Sequence, residues 1–265
     1  MNKHVIITGA GRGIGAAIAD TFVANGYKVT LIGRNAALLQ EKANSLVQNT
    51  KPLTGKAKEL GEVALALSCD ITKPEEIDLA FKQAVDTFGP VDVLVNNAGA
   101  ALTAPFVKTK PEQFQAMMNV NFLGACYCIQ AVLPNMLERN SGRIINIGST
   151  SSVKGYGYVS AYTASKHAIM GLTRSIAIEI SKTDVTINTV CPGFTETDIV
   201  SDAIDNIIQK TGRSTEQAIA ALTKHNPQKR FIQPSEVADQ VYYLAAHAPS
   251  SITGQAIMVD GGETS

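Results

Sequence analysis

The sequence carries no surplus of either charge: 23 lysines and arginines balance 23 aspartates and glutamates over 265 residues, so the formal net charge is zero. Proteins that grip phosphate backbones need a basic surplus to displace counterions, so nucleic acid is excluded as the main partner. No unbroken apolar run approaches the roughly 18–20 residues that cross a bilayer. Val5-Ile6-Ile7 follows Met1-Asn2-Lys3-His4 and is too short for the core of a signal peptide. No membrane partner and a soluble, cytoplasmic protein are therefore expected. The 4 cysteines include no CxxC pair and no Cys/His ligand spacing, which argues against a disulfide framework or a metal site. Linkers, low-complexity tracts and solenoid-period repeats are missing too. With 45% apolar residues and no net charge the chain is not disordered, and a single domain over residues 1–265 is expected.

What is present is a steady alternation of strand and helix. Short β-branched runs occur at His4–Thr8, Lys28–Gly33, Glu62–Cys69, Val91–Asn96, Gly142–Gly148, Val185–Val190 and Gln255–Val259. Between them lie helical patterns at Gly13–Asn25, Ala36–Val47, Pro74–Thr87, Pro111–Glu138, Ser160–Ser181 and Pro234–Ala246. Strands that read as apolar runs, and not as alternation, suit a parallel sheet covered on both faces. The fold class is α/β, a doubly wound Rossmann-type parallel sheet of about seven strands. Asn49–Gly61 reads as a surface loop. The long polar segment Thr195–Gln233, with helical pieces such as Thr215–Thr223, leaves the carboxyl end of the sixth strand, where ligands of open α/β sheets bind. It is placed to cover a substrate; the plainer reading is a helical decoration.

Thr8-Gly9-Ala10-Gly11-Arg12-Gly13-Ile14-Gly15 links the first strand to the first helix. Glycines there allow a sharp turn and close approach to a pyrophosphate, which the helix N-terminus then attracts. The pattern alone is weak, and its position between strand and helix is what gives it weight. A P-loop is excluded, since no Gly-Lys-Ser/Thr follows. An acid about 20 residues further on would favour a free ribose 2′-hydroxyl. Leu31-Ile32-Gly33-Arg34-Asn35 has none, and Arg34, helped by Arg12, suits a 2′-phosphate. NADP(H) is favoured over NAD(H).

Tyr162 and Lys166 stand four apart on a helical pattern, so they share a face, and Ser149 follows the fifth strand. Hydride transfer to a ketone builds negative charge on its oxygen, which needs a hydrogen-bond donor and then a proton. Ser149 and Tyr162 supply these. An ammonium about 4 Å from the phenol would contribute roughly 4 kcal/mol at an effective dielectric near 20. That is about 3 pKa units, so Lys166 is expected to bring Tyr162 down to ~7, with burial opposing part of the shift. A Ser/His hydrolase is disfavoured because Gly148-Ser149-Thr150-Ser151 lacks the closing glycine of a nucleophile elbow.

Thr8–Gly15, Asn96-Asn97-Ala98-Gly99, Asn121, Ser149, Tyr162-x-x-x-Lys166 and Pro192-Gly193, in that order, resemble the motifs of the short-chain dehydrogenase/reductase family. The resemblance runs from Val5 to Gly262. Val190-Cys191-Pro192-Gly193-Phe194 and Gln233-Pro234-Ser235-Glu236-Val237-Ala238 look most like ketoreductases of acyl thioesters, of fatty-acid and polyketide type. The resemblance implies that Ser149, Tyr162 and Lys166 are catalytic. It further implies that Lys166 holds the nicotinamide ribose and that Asn121 anchors a water chain returning the proton to solvent. It also implies cofactor contacts from Gly9, Gly13, Ile14 and Gly15, from Asp70 and Ile71 beside the adenine, and from Asn97, Ala98 and Gly99 at the adenosine ribose. Pro192, Gly193, Thr195 and Thr197 would meet the nicotinamide carboxamide. A homotetramer is implied as well, built on Pro111–Glu138 and Ser160–Ser181. The implied activity is reduction of a 3-oxoacyl thioester or related ketone. The same chemistry on a free diketone, hydroxy acid or sugar, and a nucleotide-binding protein without catalysis, stand as alternatives.

Overall fold

The computed structural model describes residues 3–54 and 60–265. The strands are β1 (His4–Thr8), β2 (Lys28–Gly33), β3 (Ala64–Ser68), β4 (Val93–Asn96), β5 (Arg143–Ile147), β6 (Thr186–Pro192) and β7 (Ala256–Val259). They form one sheet in the order β3-β2-β1-β4-β5-β6-β7, and every pairing is parallel. The helices between them are α1 (Gly13–Ala24), α2 (Ala36–Thr54), α3 (Pro74–Phe88), α4 (Pro111–Glu138), α5 (Ser160–Glu179), α6 (Asp198–Thr211), α7 (Thr215–Leu222) and α8 (Pro234–Ala246).

The apolar strand runs are explained by burial on both faces. In β1, Val5 and Ile7 pack with Phe22 of α1, Leu39 of α2 and Val241 of α8. Ile6, between them, faces the opposite layer with Phe81 of α3 and Ile129 and Val132 of α4. Each such side chain contributes roughly 1.5–3 kcal/mol by leaving water. The chain winds outward through β2 and β3, then returns to β4 on the other side of β1. That reversal opens a crevice at the carboxyl ends of β1 and β4, the usual ligand position in such sheets.

Four expectations change in detail. Helix α2 continues through the first part of the expected 49–61 loop to Thr54, with Pro52 in its last turn; residues 55–59 of that loop lie outside the described residues. Strand β3 is shorter than Glu62–Cys69, because Leu60–Val63 forms a helical turn first. The helical pieces of the 195–233 segment are α6 and α7, the latter ending at Leu222, one residue short of the expected Thr223. Helix α4 is long and apolar enough by composition to cross a membrane, which its broken apolar runs did not suggest. Its apolar side is used against the sheet, through Cys128, Ile129, Val132 and Met136. A π turn at Asn119–Leu123 interrupts it, and this turn carries Asn121.

Candidate active site

The glycine turn is sterically necessary. Gly9 has φ of +66°, a left-handed backbone that side chains disfavour, and a Cβ there would stand 2.9 Å from the Cα of Ala98. Asn97 braces the turn, its Nδ2 donating to the carbonyls of Thr8 (2.9 Å) and Gly9 (3.0 Å). Thr8 Oγ1 accepts from the backbone N–H groups of Asn97 and Ala98, both at 3.0 Å. Helix α1 then begins without a side-chain cap and without an acid in its first turn. Its first N–H groups, at Gly13, Ile14 and Gly15, lack intrahelical acceptors and suit an anion. Gly13, also left-handed at φ +56°, would bring a Cβ to 3.2 Å from Cγ2 of Thr197. The glycine turn and the start of the 195–233 segment therefore meet, as the cofactor expectation requires.

At the end of β2, Arg34 is exposed, and its carbonyl accepts from Ser68 Oγ at 3.3 Å. Arg12 is exposed as well. Asp70 uses its carboxylate on Thr72, from N–H at 3.0 Å and Oγ1 at 2.8 Å. These bonds hold its pKa below the ordinary value, with Arg34 and Lys73 adding to the effect. The Ile71 side chain is committed to the core against Gly124, where a Cβ would come within 2.6 Å of its Cδ1. What Ile71 presents toward an adenine is its backbone.

Ser149 follows β5 by two residues and opens the 3₁₀ turn Thr150–Ser152, its Oγ accepting from Ser151 N–H at 3.1 Å. Tyr162 stands in the first turn of α5 with its phenol beside Ser149. Lys166, one turn further on, is only 6% exposed. Its Nζ donates to the Ile147 carbonyl at 2.8 Å and lies 5.7 Å from the Tyr162 ring centroid. The expected trio is thus brought together. The expected electrostatics are not: burial raises the Tyr162 pKa, with Ser149 opposing, and burial pushes Lys166 down to about 8. The lysine gives its ammonium to the Ile147 carbonyl, and for both groups desolvation outweighs Coulomb attraction.

The Asn121 side chain is fully engaged within the protein. Its Oδ1 accepts from Ala100 N–H at 2.8 Å, and its Nδ2 donates to the Ala100 carbonyl and to Ser165 Oγ, both at 2.9 Å. The side chain ties the loop after β4 to α5, leaving the backbone as its means of anchoring a water. Gly99 lies between Asn121 and Lys166, where a Cβ would meet Asn121 Oδ1 at 2.8 Å and Lys166 Nζ at 3.7 Å. Past Pro192 and Gly193, Thr195 is buried and donates to the Gly193 carbonyl at 3.1 Å, so its backbone is what a carboxamide would meet. His167 turns back to the Thr163 carbonyl and stays exposed.

Three features escaped the sequence reading. Cys191, on β6, sits under Ser149 within the field of Lys166, its thiol raised by burial. Thr195 pairs with Ile232 as a bridge: Glu196 N–H donates to the Ile232 carbonyl and Ile232 N–H to that of Phe194, both at 2.9 Å. The bridge closes the base of the 195–233 segment. Tyr156, in the loop between Ser149 and Tyr162, donates to Glu263 Oε1 at 2.6 Å. No local pattern announces partners so far apart in the chain.

The family described as short chain dehydrogenase matches residues 3–208. A D-beta-hydroxybutyrate dehydrogenase of Rhizobium meliloti is 35% identical over 266 residues, covering 100% of this chain and 99% of that protein. A 3-oxoacyl-[acyl-carrier-protein] reductase of Staphylococcus epidermidis is 34% identical over 262 residues, 99% of each chain. A crystal structure of an actinorhodin polyketide ketoreductase variant with NADPH superposes with a TM-score of 0.90 at 33% identity, covering 99% of this chain and 97% of that one.

Proposed function

Since the chain belongs to the short-chain dehydrogenases, we propose that it is an NADP(H)-dependent carbonyl reductase of 3-oxoacyl thioesters or closely related keto compounds. The observation that carries this reading is Tyr162 beside Ser149, with Lys166 one turn away and its Nζ 5.7 Å from the Tyr162 ring, at the carboxyl ends of the strands. NADP(H), when bound, supplies or accepts the hydride. Tyr162 delivers the proton to the carbonyl oxygen, and Ser149 offers that oxygen a hydrogen bond as its charge grows. Lys166 holds the nicotinamide ribose. Asn121 keeps the Gly99–Ala100 backbone and Ser165 in register with Lys166, and its carbonyl anchors the water that returns the proton.

The uncapped start of α1 takes the pyrophosphate, and Arg34 with Arg12 takes the 2′-phosphate. A charge-assisted bond from Arg34 is worth about 1.5–3 kcal/mol, or roughly 10- to 150-fold in affinity. The NADPH-bound ketoreductase of the same fold supports this choice. An acyl chain suits the mouth of the crevice, where Phe106 (70%), Val107 (90%) and Tyr158 (68%) are exposed on the loops flanking Ser149 and Tyr162. Phe194, half-exposed at the start of the 195–233 segment, extends this apolar rim, and the segment covers the substrate. Exposed Leu79 on α3 and Ile178 on α5 favour pairing of copies into a homotetramer. Four free cysteines accord with the cytoplasm.

The test is reduction of a 3-oxoacyl thioester followed by loss of NADPH absorbance, beside direct titration with NADPH and NADH. Turnover with tighter NADPH binding is expected, and Arg34→Ala should weaken NADPH selectively. Equal dissociation constants, or tighter NADH, would defeat the cofactor assignment.

A further inference from the structure

We infer that Glu263, held by Tyr156, makes the substrate end of this site select neutral keto compounds over those bearing a carboxylate near the reacting carbonyl. The inference rests on the reading of the crevice as a carbonyl reductase site and narrows its substrate class.

The placement follows from the chain. The 153–159 loop joins the turn of Ser149 to the helix of Tyr162, so it borders the position of the carbonyl. Tyr156, half-buried in that loop, donates to Glu263 Oε1 at 2.6 Å. The other oxygen, Oε2, lies against the end of β6: a Cβ on Gly193 would stand 3.4 Å from it. Gly193 is two residues beyond Cys191, which underlies Ser149. The carboxylate therefore sits between the end of β6 and the loop that joins Ser149 to Tyr162.

Its charge is poorly screened, because Glu263 is 6% exposed. Burial and the bond to Glu263 hold the Tyr156 phenol above its ordinary range, so it remains a donor at neutral pH. Asp260, also buried, has its own partners in the N–H groups of Gly262 and Thr264 and the Thr264 hydroxyl. The opposing charge on this wall is Lys154, which is exposed. Its Nζ is 3.3 Å from the Glu263 carbonyl and 5.7 Å from the Tyr156 ring centroid. Salt and water screen an exposed ammonium far more than a buried carboxylate. Lys166 directs its charge to the Ile147 carbonyl. Residues 100–106 have no charged side chain, and in the covering segment residues 195–223 hold five acids against Lys210 and Arg213, so neither offers a carboxylate a cationic surplus. A substrate carboxylate that came within about 10 Å of Glu263, at an effective dielectric near 20, would be disfavoured by roughly tenfold.

Two matched pairs of substrates test this: the N-acetylcysteamine thioester of 3-oxobutanoate against free 3-oxobutanoate, and diacetyl against pyruvate. In the wild type, kcat/KM for each acid should fall at least about tenfold below that of its neutral partner. In Glu263→Gln, which keeps the shape and a hydrogen-bond partner for Tyr156, the acid-to-neutral ratio should rise at least about fivefold. NADPH binding reports that the variant is folded, and the wild-type ratios stand even if it is not. Reduction of either acid as fast as its neutral partner overturns the inference, as does a Glu263→Gln variant with the wild-type ratio. If diacetyl is reduced in preference to pyruvate while the thioester is inert, the thioester reading fails and the charge selection stands.

Discussion

Replacing Lys166 by methionine should stabilise the folded protein while disabling it. The drop in its pKa from the 10.5 of a free lysine to about 8 is caused by burial. At about 1.36 kcal/mol per pH unit, the folded state disfavours the ammonium by roughly 3 kcal/mol relative to the unfolded chain. Methionine removes that burden but gives up the bond from the charged Nζ to the Ile147 carbonyl, about 1.5–3 kcal/mol. The net gain at pH 7 is roughly 1 kcal/mol. The sign of the pH dependence follows from the direction of the shift. Below about 8 the lysine is charged in both states and the folded state bears the full burden. Between about 8 and 10.5 the burden fades as the folded amine loses its proton first, and above that range the amine is neutral in both states and the burden vanishes. Urea denaturation of wild type and Lys166→Met at pH 7 and at about 9.5 reads this directly, since the buried-charge contribution should shrink to about half. Carbonyl reduction, measured in parallel, should collapse. A variant less stable than wild type at pH 7, or one whose advantage does not shrink as pH rises, would refute the argument.

Three further outcomes are expected. Tyr162→Phe keeps the ring and removes the proton donor, so kcat for carbonyl reduction should fall at least about 100-fold while NADPH binding, followed by its fluorescence, persists. Tyr158 has φ of +67° and an exposed ring, so Tyr158→Gly should raise the denaturation midpoint by the equivalent of roughly 0.5–1 kcal/mol; a lowered midpoint would show that the ring contributes more than the backbone strain removes. Burial lowers the pKa of His4, whose ring nitrogens meet the Gly89 carbonyl and Thr30 Oγ1. The unfolded chain therefore takes up this proton more readily, and stability should decline as pH falls below about 6.5, a decline that His4→Gln should flatten in acid titrations of the melting temperature.

The sheet was legible because each strand is buried on both sides, which writes apolar runs into the sequence; β1 and β2 were delimited to the residue. The glycine turn and the four-residue spacing of Tyr162 and Lys166 were legible for a similar reason: each is a local pattern fixed by one turn or one helix. The charge states were not, because desolvation depends on what packs around a group, and Ile147, Cys191 and Asn121 reach Lys166 and Tyr162 only through the fold. The same holds for Glu263 and Tyr156, which nothing local connects. The π turn at Asn119–Leu123 was hidden because its residues suit an ordinary helix, and the insertion is dictated by the need to aim Asn121 at Ala100.

The bridge between Thr195 and Ile232 makes the chain leave and re-enter the sheet region at a single point, reinforced by Gln233 Nε2 donating to Glu196 Oε2 at 2.6 Å. Beyond that bridge the segment meets the body at Thr197 against Gly13 and at Asn226 and Pro227 against Gly261 and Gly262, so its fixed points lie near its two ends. Doubling the loop between them costs only about 0.6 kcal/mol in closure entropy. Residues 198–225 thus form an interchangeable cassette: a stretch from a relative with different taste in substrates, joined between those fixed points, should refold onto this scaffold and carry its preference along.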